Sequence, residues 1–320
     1  MNNKYIFMKC ACSENCIKDI EDIFKNLDEF YLPCKDCSVI ELKKATPIKR
    51  QLNLDELDSN YGRCSSCGKR SLDAVLSHVI KILINQGILK DSLASLRKLG
   101  IPLITPGVYL EETPMLSENT LVLILENIDD KTANIITTEV SEVKGVIKGN
   151  PKLTVGQLDS NSDVEEYELL AGCDIRVDIP NIPNINMAIY KEQSKIHIEF
   201  PRKHQGKINQ VQQALEKYKN PRIIDGMCGP GTLGIYALKS NASFVLFNDI
   251  YIEAVETTEF NLKINQIPKD KYTIYNEDLN NLVDVVEGEF DIGIIDAFPG
   301  INIDLFREKL EKICKEVIFV

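Results

Sequence analysis

Histidine is scarce in this chain, with three among 320 residues, and no Ser/His/Asp constellation stands out. A serine-type hydrolase is therefore a poor fit, because it needs an imidazole base beside its nucleophile. Long apolar runs are also missing. None approaches the roughly 20 residues that cross a bilayer, so no membrane partner is expected. The apolar segment after Met1-Asn2-Asn3-Lys4-Tyr5 is too short for a secretory signal. Cationic residues are in deficit, 37 Lys and Arg against 48 Asp and Glu, for a net charge of −11. That balance argues against a generic nucleic-acid binder. The deficit is uneven: residues 1–100 hold 16 basic and 13 acidic side chains, the rest 21 and 35. A mildly basic N-terminal part joined to an acidic body leaves room for local RNA contact.

Cysteine, by contrast, is abundant. Seven of ten lie before residue 70: Cys10, Cys12, Cys16, Cys34, Cys37, Cys64 and Cys67. With no secretory signal read, the cytoplasm is the expected compartment, and metal or catalytic thiols are favoured over disulfides. Cys34-Lys35-Asp36-Cys37 and Cys64-Ser65-Ser66-Cys67 form two Cys-x-x-Cys knuckles, with Gly68 relieving the second turn. Four thiolates at this spacing suit tetrahedral zinc, in a closed and so structural site. Cys10, Cys12 and Cys16 leave several readings open: a second metal with His78 as outside ligand, a replacement knuckle, or an iron–sulfur centre. His78 also fits as a core residue of the amphipathic 71–89 helix pattern. Lys43, Lys44, Lys49, Arg50, Arg63, Lys69 and Arg70 make a basic run near Tyr61 that could meet RNA by phosphate contact and stacking, or be a solvated face.

Three segments follow from composition: a Cys-rich module with a helix over 1–100, a β-rich or α+β substrate domain over 101–200, and a ligand-binding α/β domain over 201–320. In the middle segment, residues 121–126, 134–139, 144–147, 175–179 and 195–200 read as strands, with loops at 149–151 and 159–163. Pro201 to Lys207 leads into a helix predicted over 207–218, which would put Arg202, Lys203 and His204 near the ligand mouth.

The densest information lies at Pro221-Arg222-Ile223-Ile224-Asp225-Gly226-Met227-Cys228-Gly229-Pro230-Gly231. An apolar run ends in an acid, then a glycine turn, then a helical pattern from Thr232. Glycines let a ligand approach bare backbone at a helix start. The pattern recurs: apolar runs end at Asp249, Asp278 and Asp296, and a fifth closes the chain at 316–320. Acids at strand C-termini sit where open α/β sheets bind ligands.

From Arg222 to Gly300 these motifs resemble the class I S-adenosylmethionine (SAM)-dependent methyltransferases. Asp225 to Gly231 resembles their glycine-rich first motif. Asp249 stands where the family's ribose-binding acid stands, and Asp278 where a residue meets the adenine edge. Asp296-Ala297-Phe298-Pro299 stands where amino-methylating members carry Asp/Asn-Pro-Pro-aromatic or Asp-Pro-Phe-Gly; it lacks the first proline. Asn248-Asp249, Glu253-Ala254-Val255 and Asn261-Leu262-Lys263-Ile264-Asn265 are most similar to tRNA guanosine N-methyltransferases. The resemblance implies an α/β, Rossmann-like fold, and the strands read from the sequence give a shortened sheet of about five. The resemblance also implies SAM held by Asp225, Cys228, Gly229, Gly231, Asp249 and Asp278, and catalysis by Asp296 and Phe298. Phe298 would stack on a flipped base or simply pack in the core. Cys228 at a helix start could also be a nucleophile, or only a small residue suited to the turn. The family usually adds two further strands, so an exposed sheet edge is expected, covered by a second copy in a homodimer or by the N-terminal part of the chain. The resemblance implies methylation of a base nitrogen in RNA, with tRNA as the substrate, and leaves protein or metabolite methylation and a non-catalytic zinc adapter as the alternatives.

Overall fold

The apolar runs that end in acids become the parallel strands of a five-stranded sheet. The computed structural model describes Met8, Cys10, Leu27 and residues 16–25, 30–157 and 164–320, with side chains except those of 201–204. Cys12 and the 159–163 loop lie outside the described residues, as do the side chains of Arg202, Lys203 and His204. The chain divides into two compact units, Cys10–Thr154 with Glu166–Arg176, and Met1–Lys9 with Val155–Glu165 and Val177–Val320.

The first unit contains helices α1 (Ile20–Lys25), α2 (Leu72–Asn85) and α3 (Asp130–Glu139). Its strands are β1 (Arg70–Ser71), β2 (Ile101–Ile104), β3 (Met115–Leu116), β4 (Leu121–Leu125), β5 (Val143–Lys148) and β6 (Glu168–Gly172). Four of them form a mixed sheet in the order β2-β4-β5-β6, with β4 and β5 parallel and the outer pairs antiparallel. A parallel pair needs a crossover, and α3 supplies it. The strand expected at 134–139 is therefore a helix. Asp129 caps it by accepting from the Thr132 N–H at 2.8 Å, and Ala133 and Ile136 are buried one turn apart. The β-branched Ile135, Ile136, Thr137 and Thr138 suggest a strand, but their intrinsic preference yields to the topology. Val75, Val79, Ile80, Leu83 of α2 share one core with Leu121, Leu123, Leu125, Ile136, Val143 and Val146. Sequence analysis drew a Cys-rich segment and a separate β-rich one; the structure merges most of both into this unit because α2 cannot bury its apolar face alone.

The second unit opens along β7 (Ile175–Asp178), which pairs with β8 (Ile189–Glu192). The strand expected at 195–200 is irregular. A turn returns the Lys195 and Ile196 N–H groups to the Glu192 carbonyl at 3.0 and 2.9 Å, and Ile196 buries itself against Tyr251 and Ala254 instead. There follow α4 (Pro201–Leu215), β9 (Arg222–Asp225), α5 (Thr232–Ser240), β10 (Phe244–Asn248), α6 (Ile252–Ile264), β11 (Tyr272–Tyr275), α7 (Leu279–Val285), β12 (Phe290–Ile295), α8 (Asp304–Leu310) and β13 (Cys314–Phe319). Pro201 at the first turn suits α4, where its missing N–H costs nothing.

The five strands run parallel in the order β11-β10-β9-β12-β13. Side chains alternate between faces. Ile223, Val245, Phe247, Ile292 and Ile294 pack under residues of α4, α5 and α6, while Ile224, Leu246 and Ile295 face α7 and α8. Each such fully buried aliphatic contributes about 1.5–3 kcal/mol. The winding reverses at β9, so the loops after β9, β10 and β12 meet above its carboxyl end. That crevice is the ligand position of open α/β sheets. Among the described residues, no helix is long and apolar enough to cross a membrane.

Candidate functional site

The loop after β9 is tethered at nearly every residue. Gly226 N–H donates to the Ile294 carbonyl at 3.0 Å, Cys228 N–H to that of Asn248 at 2.9 Å, and Gly231 N–H to that of Cys228 at 2.8 Å. From α6, Thr258 Oγ1 donates to the Gly229 carbonyl at 2.8 Å and Asn261 Nδ2 to that of Pro230 at 2.9 Å. Gly229 and Gly231 hold left-handed φ of +52° and +85°, where other residues are strained. A side chain on Gly231 would press on Thr258, whereas a β-carbon on Gly229 would meet nothing within 4 Å. The turn is thus braced from behind and open in front.

The acids take different positions around it. Asp225, at the end of β9, is 1% exposed. Its Oδ2 accepts from the Gly234 N–H at 2.9 Å, while Oδ1 has no partner among the described residues. Burial, reinforced by the negative charge of Asp296 and Asp249, pushes its pKa up to about 7. Asp249 braces the turn directly: Oδ2 accepts from the Gly229 N–H at 2.8 Å and Oδ1 from that of Tyr251 at 3.0 Å. Burial raises its pKa, and these N–H groups pull it back. Asp278 accepts from the Asn280 N–H at 2.8 Å and so caps α7.

Two asparagines to which sequence reading gave no role, Asn248 and Asn276, wire these loops together. Asn248 Nδ2 donates to the carbonyls of Gly226 and Glu277 at 3.1 and 3.0 Å, and its Oδ1 accepts from the Glu277 N–H at 3.1 Å. Asn276 Nδ2 holds the carbonyls of Asp249 and Ile250 at 2.8 and 3.0 Å. Ile250, beside Asp249, stays 51% exposed.

Cys228 is not an activated thiol. Its sulfur is buried, 3.5 Å from Thr258 Oγ1. Burial, then the charges of Asp249 and Asp225, push its pKa well above the ordinary value. The helix start cannot offset burial beside two acids. A buried thiol held neutral in this way is a poor nucleophile.

Asp296 follows β12 on the other side of the crevice. Lys207 Nζ from α4 lies 2.5 Å from its Oδ2 and 2.7 Å from Glu199 Oε1. Burial opposes the ammonium charge, but the two carboxylates prevail and hold its pKa above the usual lysine value. Phe298 is half-buried and edge-on to His197, ring centroids 5.2 Å apart. Sequence reading missed Lys207, Glu199 and His197. Lys207 lies 89 residues from Asp296, and no local pattern marks it.

In the other unit the two knuckles converge. The sulfurs of Cys34, Cys37, Cys64 and Cys67 all lie within 4.8 Å of one another. Cys34–Cys64, Cys34–Cys37 and Cys37–Cys67 are separated by 3.6, 3.5 and 3.5 Å. Zinc–sulfur bonds of about 2.3 Å set tetrahedral sulfurs about 3.8 Å apart, so the set fits zinc. Gly68, at φ +74°, closes the second knuckle through its N–H to the Cys64 carbonyl at 2.9 Å. His78 stands apart from the cysteines, buried in α2, where burial lowers its pKa to about 4.

Four of the seven cations of the basic run pair with carboxylates of their own unit. Arg70 grips Glu142 through two bonds of 2.9 and 2.6 Å, and Arg63 reaches the same carboxylate at 2.9 Å. Lys44 pairs with buried Asp73, and Lys49 with Asp91 at 2.9 Å. Arg63 and Arg70 are structural cations, a role their sequence neighbourhood does not reveal.

The family model for ribosomal protein L11 methyltransferase (PrmA) matches residues 206–312. Proteins named ribosomal protein L11 methyltransferase from Thermotoga neapolitana and Bacillus subtilis are 34% and 38% identical over 96 and 82 residues, covering 29% and 25% of this chain. The chain spans only 34% and 25% of their lengths. Among solved structures, Trm5b from Pyrococcus abyssi gives a TM-score of 0.42 at 15% identity, covering 62% of this chain and 55% of that one. The M. jannaschii tRNA m1G37 methyltransferase gives 0.41 at 17%, covering 60% and 55%. These two likenesses are too partial to bear on substrate. With the parallel sheet, braced glycine turn and acids at strand ends already in place, the sequence match identifies residues 206–312 as a class I SAM-dependent methyltransferase domain.

Proposed function

We propose that this chain methylates a nitrogen of a planar RNA base, with tRNA as the first substrate to test and zinc on Cys34, Cys37, Cys64 and Cys67 holding the N-terminal fold. The observation that carries the reading is Asp296 with Phe298 at the end of β12, one strand from the glycine turn. The residues present fit SAM: among the described residues, Gly229 leaves open space, and Asp225 Oδ1 and Thr232 Oγ1 are buried without partners. Exposed Ile250 offers an apolar surface for a base beside Asp249.

When bound, SAM supplies an electrophilic methyl group on a sulfonium. The chain's own part is placement, since alignment of the two reactants removes much of such a barrier. Asp296 accepts the N–H of an exocyclic amine and turns its lone pair toward the methyl carbon. Lys207 fixes that carboxylate, and Phe298 offers a face to the ring, itself held by His197.

A second reading, methylation of a protein, is favoured by the internal pairing of Arg63, Arg70, Lys44 and Lys49, which leaves less free charge for phosphates. The test is transfer of labelled methyl from SAM, by the full chain, to total RNA and to RNA-free protein extract side by side. Label in RNA that Asp296→Ala abolishes supports the first reading; label only in protein replaces it with the second. Titration of SAM into Asp249→Ala provides the cofactor control. Loss of a charge-assisted bond is worth about 1.5–3 kcal/mol, so affinity should fall roughly ten- to hundredfold. Unchanged affinity would remove Asp249 from the cofactor site.

A further inference from the structure

A second sulfur cluster lies in the first unit. Cys10 and Cys16, from the N-terminal segment, meet Cys173, in the turn between β6 and β7. Their sulfurs all lie within 4.8 Å of one another, and Cys10 Sγ is 3.5 Å from Cys173 Sγ across 163 residues of chain. No ligand is shared with the four-cysteine set. We propose that Cys10, Cys16 and Cys173 bind a second zinc ion, which pins the N-terminal segment to the turn after β6.

The spacing favours one ion. Zinc–sulfur bonds of about 2.3 Å bring thiolates about 3.8 Å apart, within the range found. A four-iron cluster gives each thiolate its own iron and so spreads them wider, which sets the iron–sulfur alternative aside. A disulfide would consume two of the three sulfurs and needs about 2.05 Å between them.

Cys173 is held as a ligand should be. Its N–H donates to the Lys144 carbonyl at 2.8 Å, and the residue is 3% exposed. Gly145 and Gly172 make that seat. A β-carbon on Gly145 would lie 2.3 Å from the Cys173 carbonyl oxygen, and one on Gly172 2.1 Å from that of Lys144. Gly172 also has a φ of +75°. Two glycines thus let the turn press onto β5, giving the thiol a fixed origin, as preorganised metal sites require.

Charge points the same way. Three thiolates and one divalent ion leave a net charge of −1. Lys144, whose carbonyl accepts the Cys173 N–H, is buried in the same place, and its ammonium donates to the Ile175 carbonyl at 2.7 Å. One buried cation offsets one surplus anion. Thiols packed merely as small apolar groups have no use for an ammonium in their midst. Soft thiolates select zinc over magnesium or calcium. Binding releases the thiol protons and ties the ends of a long loop, so the ion adds directly to folding stability.

The test is a zinc count on the reduced, full-length protein after zinc loading and removal of excess, with cobalt(II) absorption as a second readout. Wild type is expected to hold two ions per chain. Cys173→Ser and, separately, Cys10→Ser should each lose one, while Cys64→Ser loses the other. Cys10→Ser changes a half-buried residue of the N-terminal segment, and circular dichroism checks that it stays folded. In Cys64→Ser, thiolate-to-cobalt absorption should persist and then vanish when Cys10→Ser is added. A wild-type count of one that Cys64→Ser abolishes would overturn the second site. So would a full count in both Cys10→Ser and Cys173→Ser, or alkylation mapping that finds two of the three thiols joined as a disulfide.

Discussion

Lys207 and Asp296 form an ion pair of 2.5 Å, and Glu199 shares the same ammonium at 2.7 Å. One cation therefore sets the position of the acid expected to hold the substrate amine. In Lys207→Met the two carboxylates lose the ammonium they share, and like charges at close range favour protonation of one of them. Methyl transfer should fall by about tenfold to a hundredfold in kcat, the scale of a small misplacement. The acidic limb of the pH–rate profile should move to higher pH, and Lys207→Arg should restore part of the rate. A variant with lower kcat but an unshifted profile would make Lys207 a packing residue only.

Asp225 gives a pH signature to stability. Its folded pKa, about 7, is raised above the ordinary value of 3.8. The folded state therefore holds the proton over a range where the unfolded chain has lost it. Its stability contribution is full below about pH 4 and is lost as pH rises through 7. Asp225→Asn keeps an acceptor for the Gly234 N–H and cannot ionise. Urea unfolding should show variant and wild type alike near pH 4, with the variant gaining up to pH 7 and level above. The gain is on the order of 4 kcal/mol at most. A constant difference across that range would contradict the buried, protonated acid.

Two glycines of the same turn and helix should separate binding from folding. A β-carbon on Gly234 would lie 2.2 Å from Phe247 Cε1, where α5 presses on β10. Gly234→Ala should cost about 1–3 kcal/mol by overpacking and lower the melting temperature. Gly229 has open space in front of it, so Gly229→Ala should weaken SAM binding with a smaller thermal penalty, confined to its left-handed backbone. Calorimetric titration and thermal melting on both variants check the pair; equal effects on both measurements would merge their roles.

Glu142 is buried between Arg70 and Arg63. Glu142→Ala leaves a fully buried guanidinium without its anion, at a cost of about 3–5 kcal/mol. Arg63 Nη1 also holds the Gly68 carbonyl of the second knuckle at 2.7 Å. The variant should therefore release zinc faster to a chelator as well as unfold at lower denaturant. Unaltered zinc release would uncouple the carboxylate from the knuckle.

Much of the parallel sheet was legible because its signals are local. Ile223-Ile224-Asp225 followed by glycines announces a strand, a turn and a helix within a dozen residues. The misread helix at 130–139 shows the limit: its β-branched face looks like a strand until the parallel pairing of β4 and β5 demands a crossover. Lys207 was invisible for a different cause, since an ordinary helical lysine acquires meaning only when Asp296 arrives from a distant strand. The pairing of Cys173 with Cys10 and Cys16 is likewise a product of folding. The acids at strand ends needed only a position; the cations needed a partner.

Asn261 and Asn265 of α6 treat the backbone near β8 as a missing strand would. Asn261 Oδ1 accepts from the Tyr190 N–H at 2.8 Å and Nδ2 donates to the Tyr190 carbonyl at 3.0 Å; Asn265 does the same for Ala188 at 3.2 and 2.7 Å. The Asn261 amide also holds the Pro230 carbonyl in the glycine turn. Solvent hydrogen can reach the Tyr190 amide only when α6 loosens, and that same loosening releases the turn. The exchange rate of one backbone amide outside the crevice thereby keeps time for its opening, and a ligand that stills the turn should slow that clock without touching it.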